Sequence, residues 1–171
     1  MRAFHWASLT IIALFFAAPA VAQAPAPAAV PDVMPFDIPF GAPISLERAK
    51  QIGDAAVAEA KKRNWKMVIV IVEPTGDLVY FQKMDGTQYA SIKIAPGKAQ
   101  TAARYRRPSK AFNEQMETGH PYVATLDGVV ASEGGVPIVE NGKLIGAIGV
   151  SGGNAEQDIA VSNAGLAALA Q

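Results

Sequence analysis

The sequence predicts an α+β domain, an antiparallel sheet with helices on its faces. Three observations carry this. Lys66-Met67-Val68-Ile69-Val70-Ile71-Val72 is apolar on both alternating faces and rich in β-branched residues, as a strand covered on both sides should be. Asn141-Gly142, set between two apolar runs, is a strong short-range hairpin signal. Helical patterns are bunched between hairpins and do not alternate one for one with strands, which argues against a doubly wound parallel sheet.

In chain order, the first element is a helix over residues 46–63. Ser45 is its N-cap, and Leu46, Ala49, Ile52, Ala56 and Ala60 form one face at spacings of three and four. Glu59 can pair with Arg63, and Asn64 can end the helix in the left-handed conformation. The strand over 66–72 follows. Glu73-Pro74-Thr75-Gly76 fits a type I turn, with proline second and glycine fourth. Residues 77–83 return as the partner strand, and Asp85-Gly86 closes the hairpin. Helices are predicted over 96–106 and 109–117, with Pro96-Gly97 either delaying the start of the former or kinking it.

Val129-Val130-Ala131 is a candidate short strand. Residues 136–139 and 143–151 pair across Asn141-Gly142. After Gly152-Gly153 comes a last helix, capped by Asn154 with Gln157 three residues on, and its inner stripe is Ile159, Ser162, Leu166 and Leu169.

Ahead of this domain lie two segments that do not belong to a core. Arg2 leads into the apolar run Ala7–Ala18, too short for a bilayer, which takes about 20 residues. Ala20-Val21-Ala22 is a small-x-small cleavage pattern, so residues 1–22 read as an export signal, with an uncleaved membrane anchor as the alternative, and the mature protein as periplasmic, with no membrane span of its own. Cleavage removes Arg2 and His5, and His120 becomes the only imidazole. Residues 23–43 are a semi-rigid Ala/Pro-rich spacer, and 44–171 form the domain.

Composition excludes several classes. Lys plus Arg equals Asp plus Glu at 15 each, so the basic field that nucleic-acid binding uses is missing. Cysteine is absent, which removes disulfides, iron–sulfur clusters, thiolate zinc sites and cysteine nucleophiles. With one histidine left after cleavage, no all-protein zinc or two-histidine iron site is expected.

Four stretches, taken together in order and spacing, resemble the GlcG/HbpS-like family, the haem-degrading-domain group that includes the C-terminal domain of PduO-type proteins. They are Val79-Tyr80-Phe81-Gln82-Lys83-Met84-Asp85-Gly86, Lys98-Ala99-Gln100-Thr101-Ala102, Gly134-Gly135-Val136-Pro137-Ile138, and Gly142 through Gly153 with Gln157-Asp158. The resemblance implies a profilin-like fold with a five-stranded antiparallel sheet, and assembly into homo-oligomers. For function it implies haem binding in some members and haem degradation by name.

The site candidates follow, each beside its plain structural alternative. Gly146-Ala147-Ile148-Gly149-Val150-Ser151-Gly152 is not a dinucleotide fingerprint. Its small residues let a helix or another subunit approach closely, or Ser151, Gly152 and Gly153 offer backbone donors to a carboxylate at a helix N-terminus. Lys98, Arg104, Arg106, Arg107 and Lys110 are either a solvated surface or an anion clamp suited to haem propionates or a small organic acid. Thr101 is carried as a pocket candidate by the family motif, or is a packed helical threonine. His120, in a Gly-His-Pro loop, is either solvated or the axial ligand of haem iron, with Tyr80, Tyr89, Tyr105, Tyr122 and Met84 as fallbacks. Glu133 and Asp158 are weak acid–base candidates, and a carboxylate at Asp158 also complements the helix dipole. Ser132 and Ser151 lack a nucleophile elbow, which argues against a serine hydrolase.

Three function classes follow. The first is an exported protein that binds a small molecule, haem or a related anionic ligand. The second is an enzyme that degrades haem oxidatively or acts on a small hydroxy acid. The third is a non-catalytic periplasmic interaction or signalling protein.

Overall fold

A computed structural model of the protein describes residue 30, residues 32–34 and residues 36–170. The expected signal segment and most of the spacer's first half lie outside them. The larger compact unit runs from Met34 onward. Its four strands are β1 (Val68–Val72), β2 (Leu78–Lys83), β3 (Gly135–Glu140) and β4 (Lys143–Ser151), all antiparallel in the order β2-β1-β4-β3. Its four α-helices are α1 (Leu46–Lys62), α2 (Ser91–Arg104), α3 (Lys110–Glu117) and α4 (Ala155–Ala167). A 3₁₀ segment, Pro121–Thr125, follows α3.

Local chemistry accounts for most of the boundaries. Ser45 Oγ accepts the Arg48 N–H at 3.3 Å and opens α1, and Asn64 turns left-handed just beyond its end, at φ 56°. The Gly76 N–H donates to Glu73 O at 2.9 Å, closing the predicted turn between β1 and β2. Asn141 and Gly142 both have positive φ, 50° and 72°, as a two-residue hairpin turn requires. Asn154 and Gln157 cap α4 reciprocally.

β1 is buried along its whole length, and its alternation divides the core. Val68, Val70 and Val72 pack with Ala95, Ala99, Ala102 and Ala103 of α2. Ile69 and Ile71 point the other way and join Ile148, Val150, Ala49, Ile52, Ala56 and Val161 under α1 and α4. Each such Val or Ile stabilises the fold by about 1.5–3 kcal/mol through burial. The layers are therefore α1/α4, sheet, α2.

Three expectations need correction. The sheet has four strands, not five. Val129-Val130-Ala131 does not join it, because the Val130 N–H is taken by Thr101 Oγ1 at 2.8 Å and the Val129 N–H by Leu126 O at 3.2 Å. Residues 39–44 instead run beside the start of β4, where Gly41 N–H donates to Leu144 O at 2.7 Å and Phe40 forms a single parallel bridge with Leu144.

The second correction is that α2 begins at Ser91, with Pro96 inside it. An interior proline costs about 3 kcal/mol. The alanine face packed on β1 and β4 offsets that cost, and the first turn closes through Ile92 N–H to Tyr89 O and Lys93 N–H to Ala90 O. Third, α4 buries Asp158, Val161, Ser162 and Gly165: Ser162 belongs to the predicted stripe, Leu166 and Leu169 pack half-buried against the core as expected, and the stripe extends to Asp158, Val161 and Gly165 in place of Ile159. Gly165 allows α1 close: a Cβ there would lie 2.9 Å from Ile52 O.

Candidate functional site

α2 sorts its polar side chains into two environments. Lys98, 2 % exposed, points into the core, where its ammonium donates to Asp158 Oδ2 at 2.7 Å and to Val150 O at 3.2 Å. Asp158 Oδ1 accepts the Gly153 N–H at 3.0 Å. Burial pushes the Asp158 carboxyl above its ordinary range, against the opposing pull of Lys98 and of the Gly153 and Gly152 N–H groups. Thr101, also buried, donates to Gly97 O and Gly128 O and accepts from Val130 N–H, so it pins the loop after the 3₁₀ segment to α2.

Ser151 Oγ donates to Ser91 Oγ at 3.0 Å in the interior. At the start of α4, the Gly153 N–H is already satisfied by Asp158, and the Asn154 N–H by Gln157. Gly152 and Gly153 border a shallow hollow of about 340 Å³ with Trp65, Lys66 and Gln157. Lys98, Thr101 and Ser151 are thus engaged within the fold.

The glycines close the space between α2 and strands β3 and β4. A Cβ on Gly149 would fall 2.2 Å from Ala95 O, and one on Gly135 would fall 2.2 Å from Lys98 O. Helix backbone lies directly on strand backbone there. The close-approach reading of the small residues holds at these positions.

The second environment begins where α2 ends. Arg106 adopts a left-handed conformation, φ 55°, and Pro108 restricts Arg107 just ahead of it. Arg104, Arg106 and Arg107 therefore leave a sharp turn in different directions. Arg104 Nε donates to Thr75 O at 2.8 Å and braces the β1–β2 turn. Arg106 Nη1 donates to Ile38 O at 3.1 Å, lies 3.9 Å from Asp37 and stacks 5.4 Å from the centroid of the Phe40 ring. Between these two arginines' partners sits an apolar hollow of about 340 Å³, lined by Phe40, Gly41, Pro43, Pro74 and Thr75.

Arg107 sits among the rings of Phe36, Phe112 and Tyr105. Burial pulls its guanidinium below the usual value, and the Tyr105 and Tyr122 phenols push it back up. Tyr122 in turn meets His120 edge-on, with ring centroids 6.0 Å apart. His120 is exposed; its backbone N–H donates to Gln115 O at 2.9 Å, its carbonyl accepts the Val123 N–H at 3.3 Å, and its ring nitrogens make no hydrogen bond among the described residues. The chain of neighbours Arg107, Tyr122 and His120 was not visible in sequence, since the arginine precedes α3 and the histidine follows it. The Lys98–Asp158 pair was also missed, its members standing 60 residues apart.

Among the other tyrosines, Tyr80 hydrogen-bonds to Gln82 and lies 3.4 Å from Asp54. Burial first, and then Asp54, push its phenol up to about 12. Lys110 is engaged by Glu133 at 3.1 Å on the surface. Among the described residues no helix is long and apolar enough to cross a membrane.

Fold and surface define a small antiparallel α+β domain whose layers are closed, with arginine and aromatic side chains grouped around the turn after α2. Residues 44–167 match the family described as haem degrading protein, HbpS-like, and the chain belongs to that family. Protein GlcG of Escherichia coli (strain K12) is 37% identical over 108 residues, covering 63% of this chain and 81% of GlcG. A crystal structure of a Streptomyces reticuli HbpS double mutant shares 26% identity at a TM-score of 0.71, covering 84% of this chain and 99% of that one. A PduOC:heme complex shares 28% identity at a TM-score of 0.69, covering 74% and 94%.

Proposed function

We propose that this protein is exported and binds haem, or a related flat anionic molecule, on the arginine-bearing surface around the turn after α2, as a homo-oligomer. The observation that carries this reading is the placing of arginine and aromatic side chains together at the turn after α2, Arg107 against Tyr105 and Phe112, with His120 edge-on to Tyr122 beyond α3. The PduOC:heme complex and the family description support the choice of haem. The signal-like first 22 residues support export.

These side chains fit the group. An exposed neutral imidazole is the common nitrogen donor to haem iron, which gives His120 that role. Arg104, Arg106 and Arg107 suit propionate carboxylates, and rings such as Phe40 give a flat apolar ligand a surface to lie on. Bound haem would supply redox-active iron. Tyr122 and Tyr105 stand as second-choice ligands. Tyr80 does not, because its ring packs on Gly53 of α1 and its hydroxyl bonds Gln82. Lys98, Thr101, Ser151, Gly152 and Gly153 are assigned here to holding the fold that presents the surface.

The test is a hemin titration followed by the Soret band. Wild-type protein gives a shifted, saturable band, and His120→Ala alters its position and weakens binding. A band unchanged by His120→Ala would sink the axial-ligand assignment, and absence of any band would favour the interaction-protein class. The family description also favours a second reading, oxidative haem degradation. Bleaching of bound haem with reductant and oxygen, faster than that of free hemin, supports it. An intact mass beginning at Gln23 after expression in a bacterial host tests export.

A further inference from the structure

We propose that Arg107 is a carboxylate seat whose counter-ion comes with the ligand: a porphyrin propionate under the haem reading, on which this inference rests. Arg107 carries an unmatched charge. Arg48 pairs with Glu140 at 2.7 Å, Arg63 with Glu59, Arg106 with Asp37 at 3.9 Å, Lys98 with Asp158 at 2.7 Å and Lys110 with Glu133 at 3.1 Å. Every Asp and Glu of the sequence lies among the described residues, and none of them reaches Arg107.

The guanidinium is nevertheless half withdrawn from water. Its carbon lies 4.1 Å from the Phe36 ring centroid and 4.3 Å from that of Phe112. Its Nε is buried without a hydrogen-bond partner among the described residues. Aromatic rings favour the flat faces of a guanidinium but give its N–H edge no acceptor in the plane. A buried donor with no acceptor costs free energy, and structures rarely keep one without a reason. A carboxylate is the anion whose two oxygens match the fork, and of the three arginines at this turn Arg107 is the one whose guanidinium lacks an acceptor, since Arg104 bonds Thr75 O and Arg106 bonds Ile38 O.

The setting gives the seat a ligand class. Tyr122 lies close enough to Arg107 to act on its charge, and it contacts His120. Tyr105 packs edge-on against Phe112, with centroids 5.1 Å apart, and its hydroxyl donates to Asp127 O at 2.9 Å, which fixes the floor. A fixed cation inside an aromatic wall selects a flat, apolar molecule that carries a carboxylate on its rim.

The experiment compares protoporphyrin IX with its dimethyl ester, using wild-type protein, Arg107→Gln and Arg107→Lys. It reads affinity by fluorescence quenching and the Arg107 ¹Hε–¹⁵Nε resonance by NMR. The wild type prefers the free acid by about ten- to a hundredfold, the value of a charge-assisted hydrogen bond. Arg107→Gln brings that ratio close to one, Arg107→Lys restores part of it, and the Nε resonance moves only with the free acid. A wild-type protein indifferent to esterification, or an Arg107→Gln variant that keeps the full preference, overturns the seat. If hemin gives no Soret band while metal-free protoporphyrin IX still moves the Arg107 resonance, the seat stands and the haem reading falls. If hemin binds and the resonance stays put, the seat falls alone.

Discussion

Lys98 and Arg107 are cations on neighbouring stretches of chain, and the fold treats them oppositely. Lys98 is taken fully inside and given a carboxylate at 2.7 Å, a carbonyl and a closed layer of backbone around it. Arg107 is half-buried among aromatic rings and given no anion among the described residues. A buried charge with a partner belongs to the architecture, whereas one without a partner marks a place where something else completes the structure. The Lys98 of the sequence motif is held inside the fold, and the proposed binding surface lies past the end of the same helix.

The sharpest way to break this contrast is to unpair the core. Lys98→Met or Asp158→Ala alone should cost about 3–5 kcal/mol, because each leaves a lone charge buried. In thermal unfolding that is a loss of roughly 6–20 °C. The double replacement Lys98→Met with Asp158→Leu should recover much of the loss, since a buried pair is often replaceable by apolar side chains. Single variants as stable as wild type would mean that the pair is not buried as described.

Next in size is Gly149→Ala. Its new Cβ would meet Ala95 O, which is backbone and cannot swing away, so a cost of about 1–3 kcal/mol is expected in chemical denaturation. A neutral result would show that space exists between α2 and β4. On the other side of the comparison, His120→Ala should leave stability within about 0.5 kcal/mol of wild type, as for an exposed residue. Its hemin affinity should fall about tenfold or more.

The smallest effect is the pH dependence of the core pair. The folded pKa of Asp158 is raised above its unfolded value, so its contribution to stability is fully present below the ordinary carboxylate range, near pH 4. It is lost as pH rises through the raised folded value. Asp158→Asn should remove that downward slope from a plot of stability against pH. A slope that survives the substitution would assign it to other groups.

Much of the fold was readable from local signals, because those signals are local in physics. Ser45, Asn64, Asn141-Gly142 and Asn154 with Gln157 fix backbone conformation within a few residues, and each stands where its chemistry predicts. β1 announced its two-sided burial through composition alone. The departures are non-local. Pro96 could not reveal that an alanine face packed on two strands would hold a helix through it. Val129-Val130-Ala131 has strand composition, but Thr101 takes the donor a strand would need. Asp158 looked like a helix-dipole acid because nothing nearby names Lys98 as its partner. Of the site candidates, Arg104, Arg106 and His120 lie on the accessible surface, and Lys98, Thr101 and Ser151 face inward. That division depends on which face of α2 meets the sheet.

One measurement addresses the central claim most directly: backbone and side-chain chemical-shift mapping with zinc protoporphyrin IX, which is diamagnetic. The account predicts shifts centred on Arg104–Arg107, Phe112, His120 and Tyr122, with Ala95, Ala99 and Gly149 unmoved. Shifts centred on α2 and β4, with His120 and the arginines silent, would contradict it.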